Sequence, residues 1–418
     1  MNKKIVITLT TVCLFANTMF SQENIKMMFY NVLNYPLQAP ASRIQDLAVI
    51  IDDYRPDIFM ICELNNEDGA NNILNIMQPI NANYQRAVFQ PNTSDDDLGD
   101  QNDLQNMIFY DSSKFLLESQ HIVTTTYRDF NHYVLKLNTV NQNTNPKYLD
   151  VFVSHLKSSS GTANQQLRLD MVNDLVAYLE TLPNTSNVIF GGDLNLYTSS
   201  EPAFQELLDV TNNIAFVDPA NRIGSWSNNT NYLDVFTQST RTQTGLGGAT
   251  GGFDDRFDFI LTSENLLTNT DVYYVPDSYQ VYGNNNNPNC YNQEINSTDC
   301  DGAEFSSTIR DALYAMSDHL PVTIELQTTE PLLNIDSLVY NNGFKIVGTN
   351  VVSDQLTLNI SESNINSLAI YNALGQKVSE LYIGNTSNPT IDVSKLASGI
   401  YYITTNNILI EPLKFVIR

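Results

Sequence analysis

The sequence predicts a layered α/β domain followed by a small β-sandwich. Continuous apolar runs such as Ile58-Phe59-Met60-Ile61-Cys62 and Val188-Ile189-Phe190 read as strands buried on both faces, with amphipathic helical patterns between them. Polar, ligand-type side chains recur at the ends of these runs. Beyond about residue 335 the helical periodicity stops and short strands follow at regular spacing.

The two ends and the charge set the context. The 418 residues, 42% of them hydrophobic, suffice for two or three cores. Residues 1–21 read as a secretory signal peptide, with Lys3 and Lys4 at its basic start, an apolar centre over 5–16 and the small Ser21 before a cut at Gln22. No later apolar run is long enough to span a bilayer, so no stable membrane span is expected. Cys13 leaves with the signal, and Cys62, inside an apolar run, reads as a buried inert thiol. Cys290 and Cys300 bracket an Asn-rich loop and are expected to pair locally in an oxidising compartment. No Cys/His spacing suits zinc. The formal charge is −25, and it belongs to one part of the chain. Residues 22–334 hold 40 acidic and 14 basic side chains, a net −26, whereas residues 335–418 come to −1. This disfavours strong nonspecific binding of nucleic acid through a basic surface but does not exclude a phosphate substrate, because divalent cations can reverse the local field.

Taken in order, residues 25–30 alternate as a strand that ends at Asn31. Ser42-Arg43-Ile44-Gln45 reads as a capping box, and the helix after it carries Ile44, Leu47, Ala48 and Ile51 on one face and stops at Pro56. The central strand 58–62 terminates at Glu63. Strands follow at 84–89 and 106–110, separated by an acidic loop with Asp95, Asp96, Asp97, Asp100 and Asp103 that lacks calcium-loop spacing. Residues 115–124 and 133–137 form a hairpin-like pair with Arg128 between them, and the strand 149–154 ends at His155. A helix over 163–182 has an apolar stripe at Leu167, Met171, Leu175 and Leu179.

The next strand stops at Gly191-Gly192 and is followed by Asp193 and Asn195, which alternation turns to the same side. A short helix begins at Ser200 and Pro202. The irregular stretch 216–255 contains the glycine-rich 245–252, which is no dinucleotide fingerprint and reads as a mobile loop beside a site. A strand over 256–261 contains Asp258, and Ser317-Asp318-His319 enters the last strand of the domain. Residues 328–334 read as a linker, and 335–418 as a β-module with strands at 356–360, 368–371, 376–382 and 401–404.

Any one of these strand ends alone is an ordinary turn or ladder-end residue. Their recurrence is what a layered enzyme produces when successive strands deliver side chains to one rim. Hard oxygen ligands with two histidines suit Mg²⁺ or Mn²⁺, with Ca²⁺ admissible, and a phosphate group. Neither a nucleophile elbow nor a Walker loop is present.

The ordered set Asn31, Asp57-Ile58-Phe59-Met60-Ile61-Cys62-Glu63, Ser154-His155-Leu156, Gly192-Asp193-Leu194-Asn195, Phe257-Asp258-Phe259-Ile260-Leu261 and Ser317-Asp318-His319-Leu320-Pro321 resembles the endonuclease/exonuclease/phosphatase superfamily over residues 25–327. The resemblance implies a four-layer αββα sandwich with its site at one rim of the paired sheets. By it, Glu63 with Asn31 and Asp318 holds a divalent metal, and Asp193 and Asn195 orient the attacking water and contact the phosphate. Asp258 sets the tautomer of His319, a general base or phosphate contact. His155 contacts the phosphoryl oxygens, which Arg128 helps to neutralise. The carboxylate that partners the equivalent of His155 in deoxyribonuclease-like members is replaced here by Gln105 or Asn106.

In the C-terminal part, residues 368–378 and Leu396-Ala397-Ser398-Gly399-Ile400-Tyr401-Tyr402 resemble the sorting domain of the type IX secretion system. The customary Pro-Asn-Pro is replaced by Asn341-Asn342-Gly343. The resemblance implies an enzyme secreted or held at the cell surface that meets the type IX machinery on the way, and a monomer is expected. Its substrate is expected to be nucleic acid, with a phospholipid or small phosphate ester as the alternative. A noncatalytic surface binder is the alternative from another class.

Overall fold

The protein is described by a computed structural model covering residues 23–94, 104–333, 344–360, 365–384, 386–405 and 412–418. The expected signal peptide, the Asp95–Asp103 acidic run and Asn341-Asn342-Gly343 lie outside the described residues. The chain divides into two compact units between Leu333 and Asn334.

In the first unit β1 (Glu23–Tyr35), α1 (Ile44–Tyr54), β2 (Ile58–Leu64), α2 (Glu67–Met77), β3 (Tyr84–Arg86) and β4 (Gln105–Asp111) come first. Next are β5 (Phe115–Val123), β6 (Phe130–Leu137), β7 (Tyr148–His155), α3 (Thr162–Leu179), β8 (Val188–Asp193), α4 (Pro202–Leu207) and β9 (Phe216–Val217). The unit closes with β10 (Asp258–Ser263), α5 (Asn265–Thr268), β11 (Val272–Tyr274), β12 (Gln280–Val281), α6 (Ser307–Met316) and β13 (Val322–Thr328).

Two sheets form from these strands. One runs β11-β13-β1-β2-β4-β3 with β12 beside β13, the other β5-β6-β7-β8-β10-β9. Alternation along β7 and β8 explains how they stack. Val151, Val153 and Ile189 join Phe29, Met60 and Ile61 of the first sheet in one core, while Phe152, Phe190 and Val188 turn to Met171, Leu175 and Leu179 of α3. Helices α1, α2 and α6 bury Leu47, Ile73 and Leu313 in the core of the first sheet. The result is the four-layer αββα sandwich. Gly191 marks how closely the sheets meet, because a Cβ there would stand 2.8 Å from Met60 Sδ.

Local details depart from the sequence reading. The expected capping box does not form: a short 3-10 turn, Ala41–Arg43, feeds α1 without a side-chain cap. Buried Arg43 secures this turn, donating to the carbonyls of Val32, Leu33, Gln38 and Met316. On α3 the buried stripe passes through Arg168 instead of Leu167. Arg168 is matched by Glu201, whose Oε2 accepts from its Nε at 3.0 Å and Nη2 at 2.6 Å.

Cys290 and Cys300 are joined by a disulfide. It closes a loop with a sequence separation of 10, which in the chain-entropy account stabilises by roughly 2–3 kcal/mol. Replacing both cysteines with serine is expected to lower the urea midpoint accordingly. Reducing the wild type with dithiothreitol should match that loss, and no shift in either experiment refutes a structural role.

The second unit contains β14 (Phe344–Ile346), β15 (Val351–Val352), β16 (Gln355–Ile360), β17 (Ser367–Asn372), β18 (Lys377–Tyr382), β19 (Thr390–Asp392), β20 (Gly399–Thr405) and β21 (Leu413–Ile417). A sheet of order β14-β16-β19 and another of order β15-β21-β20-β17-β18 share a core that includes Leu356, Leu358, Ile370, Ile403 and Phe415.

Candidate active site

Strand register brings the polar strand ends to one rim. In the parallel pair β7/β8, His155 stands beside Asp193, and in the antiparallel pair β8/β10, Asp193 stands beside Asp258. In the other sheet Asn31 lies beside Cys62, so Glu63 follows immediately at the end of β2. Asp318 and His319 arrive just before β13. Glu63 and Asn195 hold left-handed backbone, with φ of 60° and 51°. These departures from extended geometry turn the chain at the strand ends.

The side chains interlock. Asn31 Nδ2 donates to Glu63 Oε1 at 3.0 Å and to Asp193 Oδ2 at 3.1 Å, and it lies 3.5 Å from His319 Nε2. His155 Nε2 is 3.4 Å from Asp193 Oδ2, and His155 Nδ1 is 3.7 Å from Glu63 Oε1. His319 Nδ1 meets Asp258 Oδ2 at 2.7 Å. An ionised carboxylate only accepts, so Nδ1 carries the hydrogen and Nε2 is the accepting nitrogen of the neutral ring. Gln238 Nε2 stands 2.5 Å from that Nε2. Asn195 Nδ2 donates to the Leu156 carbonyl at 3.3 Å, and its N–H to Asp193 Oδ1 at 3.1 Å.

The charges sort into two states. Burial, with Asp258 and Glu63 adding repulsion, pushes the Asp193 carboxyl up to about 8 against the pull of His319 and the Asn31 hydrogen bond. Burial and then Asp318 push Glu63 up as well. Burial would lower His319, but the carboxylates of Asp258, Asp318 and Asp193 carry it well above the ordinary histidine range. Burial, then Arg128, His319 and Lys157, holds His155 well below that range. Its short approaches to Glu63 and Asp193 are therefore those of a neutral ring, since both carboxyls are themselves raised.

A divalent cation fits this set. Glu63, His155 and Asp193 can each point a ligand atom at one position, as can Asp193, Asp258 and His319. Three buried atoms beside these groups, His155 Nδ1, Asp258 Oδ1 and Asp318 Oδ1, have no hydrogen-bond partner. Crowded carboxylates with raised pKa values lack positive charge, which a cation supplies. Two features of the geometry bear on the expected ligand set. Asn31 turns its nitrogen to the carboxylates, and its Oδ1 accepts the Leu33 N–H at 2.9 Å. Asp193, expected to serve only water and phosphate, belongs to both ligand groups.

Asp318 lies to one side. Its Oδ2 accepts from Ala249 N at 2.5 Å and from Gln238 Nε2 at 3.4 Å. The glycine-rich stretch thus rests on the site, and Gly248, at φ +75° with its would-be Cβ 2.5 Å from the Asp318 carboxylate, admits no side chain. Arg128 donates from Nη1 to the carbonyls of His155 at 3.3 Å and Leu156 at 3.2 Å. Gln105 and Asn106 do not reach His155. Gln105 donates to the Asn65 carbonyl and Asn106 to Asn131 Oδ1 and the Asp129 carbonyl. Gln238 carried no signal in the sequence, lying within an irregular stretch.

Nearby Asp254, half-buried, is pushed up to about 6 by burial and then by Asp255. The folded protein holds this proton more tightly than the unfolded chain, whose carboxyl titrates near 3.9. The resulting stability is complete below pH about 4 and is lost as pH rises through about 6. Solvent screening leaves about 1 kcal/mol of the nominal effect. Asp254→Asn is therefore expected to raise the Tm at pH 7.5 and leave it unchanged at pH 4, as followed by differential scanning fluorimetry. An equal shift at both pH values refutes the linkage.

Residues 28–319 match the profile of the Endonuclease/Exonuclease/phosphatase family, and residues 350–417 that of the secretion system C-terminal sorting domain. The sorting domain indicates type IX secretion and a secreted or cell-surface protein. No curated protein matches the chain. Among solved structures, the human Nocturnin catalytic domain with bound sulfate anion is similar at 15% identity and a TM-score of 0.46, covering 74% of this chain and 98% of its own. D. rerio TDP2 humanized by 14 mutations follows at 17% and 0.45, covering 73% and 99%. An endonuclease/exonuclease/phosphatase family protein from Bacteroides thetaiotaomicron gives 13% and 0.45, covering 74% and 99%. With the profile spanning most of its length, the chain belongs to the Endonuclease/Exonuclease/phosphatase family, as a hydrolase of phosphodiester or phosphate-ester bonds.

Proposed function

We propose that the protein is a secreted, divalent-metal-dependent phosphodiesterase acting as a monomeric extracellular nuclease. The observation that carries this reading is the meeting of Glu63, His155, Asp193, Asp258 and His319 at one rim. Glu63 and Asp193, with His155 or Asp318 beside them, would hold Mg²⁺ or Mn²⁺. That cation supplies Lewis-acid stabilisation of the negative charge that grows on the phosphoryl oxygens.

The chain's own residues do the rest. Asp258 holds the Nδ1–H of His319. With the Asp193 and Asp318 carboxylates offset by a cation, the raised proton affinity of this ring would fall, which frees Nε2 to take a proton from the attacking water. Asn31 keeps Glu63 and Asp193 apart and oriented through its amide. Asn195 and neutral His155 offer N–H groups to phosphoryl oxygens at positions fixed before substrate arrives. Arg128 places a buried cation under the His155 end of the site. A polyanionic substrate is favoured because that cation has no carboxylate partner among the described residues.

Purified protein with Mg²⁺ or Mn²⁺ is to be tested against plasmid DNA, RNA, sphingomyelin and inositol phosphates. Cleavage of DNA or RNA is expected. Intact nucleic acid under conditions that cleave sphingomyelin or an inositol phosphate overturns the nuclease assignment. Inertness toward all four, with a divalent ion present, favours a noncatalytic binder.

A further inference from the structure

We propose that Arg128 and Lys157, placed about the ring of Tyr127, form a subsite for the phosphate next to the scissile one in a nucleic-acid strand. This deepens the nuclease reading and rests on it.

The first observation is electrostatic isolation. Residues 22–334 carry 40 acidic against 14 basic side chains, so a cation there has carboxylates in easy reach. Most take them, as Lys114 does with Asp57 and Arg168 with Glu201. Arg43 and Arg241 instead fasten loops through backbone carbonyls. Among the described residues Arg128 and Lys157 have no carboxylate partner. Two like charges at one strand end, neither of them in a carboxylate ion pair, favour an anion supplied from outside.

The second observation is construction. The Arg128 guanidinium carbon lies 4.8 Å from the Tyr127 ring centre and Lys157 Nζ lies 5.3 Å from it. Tyr127 is only 3% exposed, so the ring is a fixed contact for both cations. Arg128 is tied to the carbonyls of His155 and Leu156 through Nη1, while its buried Nε has no partner. The Lys157 carbonyl accepts from Arg168 Nη1 at 2.7 Å, and the Ser159 carbonyl from the same nitrogen at 2.9 Å. The backbone that presents Lys157 is thereby locked, whereas its ammonium is bound only to the Ser158 carbonyl at 3.0 Å.

The third observation is direction. Both cations stand at the end of β7 that carries His155, Arg128 through its bonds to the His155 and Leu156 carbonyls and Lys157 two residues beyond His155 in the chain. An anion occupying the subsite therefore sits beside the group expected to contact the scissile phosphate. A chain of phosphates satisfies both positions at once. A phosphocholine headgroup does not, because its quaternary ammonium would face two cations.

The test compares Lys157→Met and Lys157→Arg with wild type, using a single-stranded oligonucleotide and bis(4-nitrophenyl) phosphate, which carries one phosphate. For Lys157→Met the oligonucleotide KM is expected to rise about tenfold and the slope of log(kcat/KM) against log salt to fall by about one. The loss on the single-phosphate substrate should be at least fivefold smaller, and Lys157→Arg should restore KM to within about threefold and recover the salt slope. An oligonucleotide KM and salt slope unchanged by Lys157→Met, while wild type cleaves nucleic acid, overturns the subsite alone. Equal losses on both substrates also overturn it. A wild type that cleaves neither DNA nor RNA overturns the nuclease reading and the subsite with it.

Discussion

Replacing His319 with alanine is expected to lower kcat by about 10³-fold, within the range that a positioned general base supplies, while KM changes little. The imidazole has its working nitrogen set by a buried carboxylate, since Nδ1 is committed to Asp258 at 2.7 Å and Nε2, met by the Gln238 amide until water displaces it, is left to accept. Water at Nε2 loses its proton only as it attacks, so the lost interaction belongs to the transition state and appears in kcat. Removing the ring also strands Asp258, which is fully buried and already has one oxygen without a partner. Some loss of stability therefore accompanies the kinetic loss, and far-UV circular dichroism must show the fold intact. The double variant Asp258→Asn/His319→Ala separates the two effects. If the pair works as a unit, the double variant is no slower than His319→Ala and is more stable, because no orphan carboxylate remains. A fall in kcat of less than threefold for His319→Ala refutes its role as base.

The strand ends were legible because burial on both faces leaves few ways to write a central strand. Runs such as 58–62 and 188–190 are apolar throughout, so the first polar residue after each marks the rim. That logic found Glu63, His155 and Asp193, whose side chains the structure brings together, His155 lying 3.4 Å from Asp193 and 3.7 Å from Glu63. It could not show that Asp193 reaches both histidines, because that depends on how two sheets stack over Gly191. Nor could it find Gln238, whose stretch has no periodicity and whose role comes from long-range bridges to Asp255 and His319. Arg168 was missed for a different reason. Its pattern reads as surface, and only Glu201, 33 residues away, makes its burial tolerable. Nor could the sequence show which way the Asn31 amide turns, since the Leu33 N–H that its Oδ1 accepts is a property of the turn that follows.

The second large effect concerns how Asp258 is held in place. Two residues before it, Arg256 is fully buried and forks onto Asp218, Nη1 to Oδ2 and Nη2 to Oδ1, each at 2.8 Å. Its guanidinium lies over Phe259 at 4.1 Å and 5.2 Å from the ring centre of Trp226. Burial alone would weaken the charge on Arg256, but Asp218 and then Tyr279 more than reverse this and keep it ionised. Asp218→Ala leaves that cation buried and unpaired, which is expected to destabilise the domain by about 3–5 kcal/mol. Trp226 is the only tryptophan in the chain, so its fluorescence in a urea titration reports the unfolding directly. Replacing both partners with apolar residues of similar volume, Asp218→Leu/Arg256→Met, is expected to recover most of the loss, because no charge is then stranded. The recovered variant distinguishes packing from positioning. If the fork also fixes the start of β10, kcat stays depressed after stability returns, because Asp258 no longer holds His319 at its working angle. Full recovery of both quantities would show that the ion pair only fills space, and a loss below 1 kcal/mol in Asp218→Ala would remove it from the account of stability altogether.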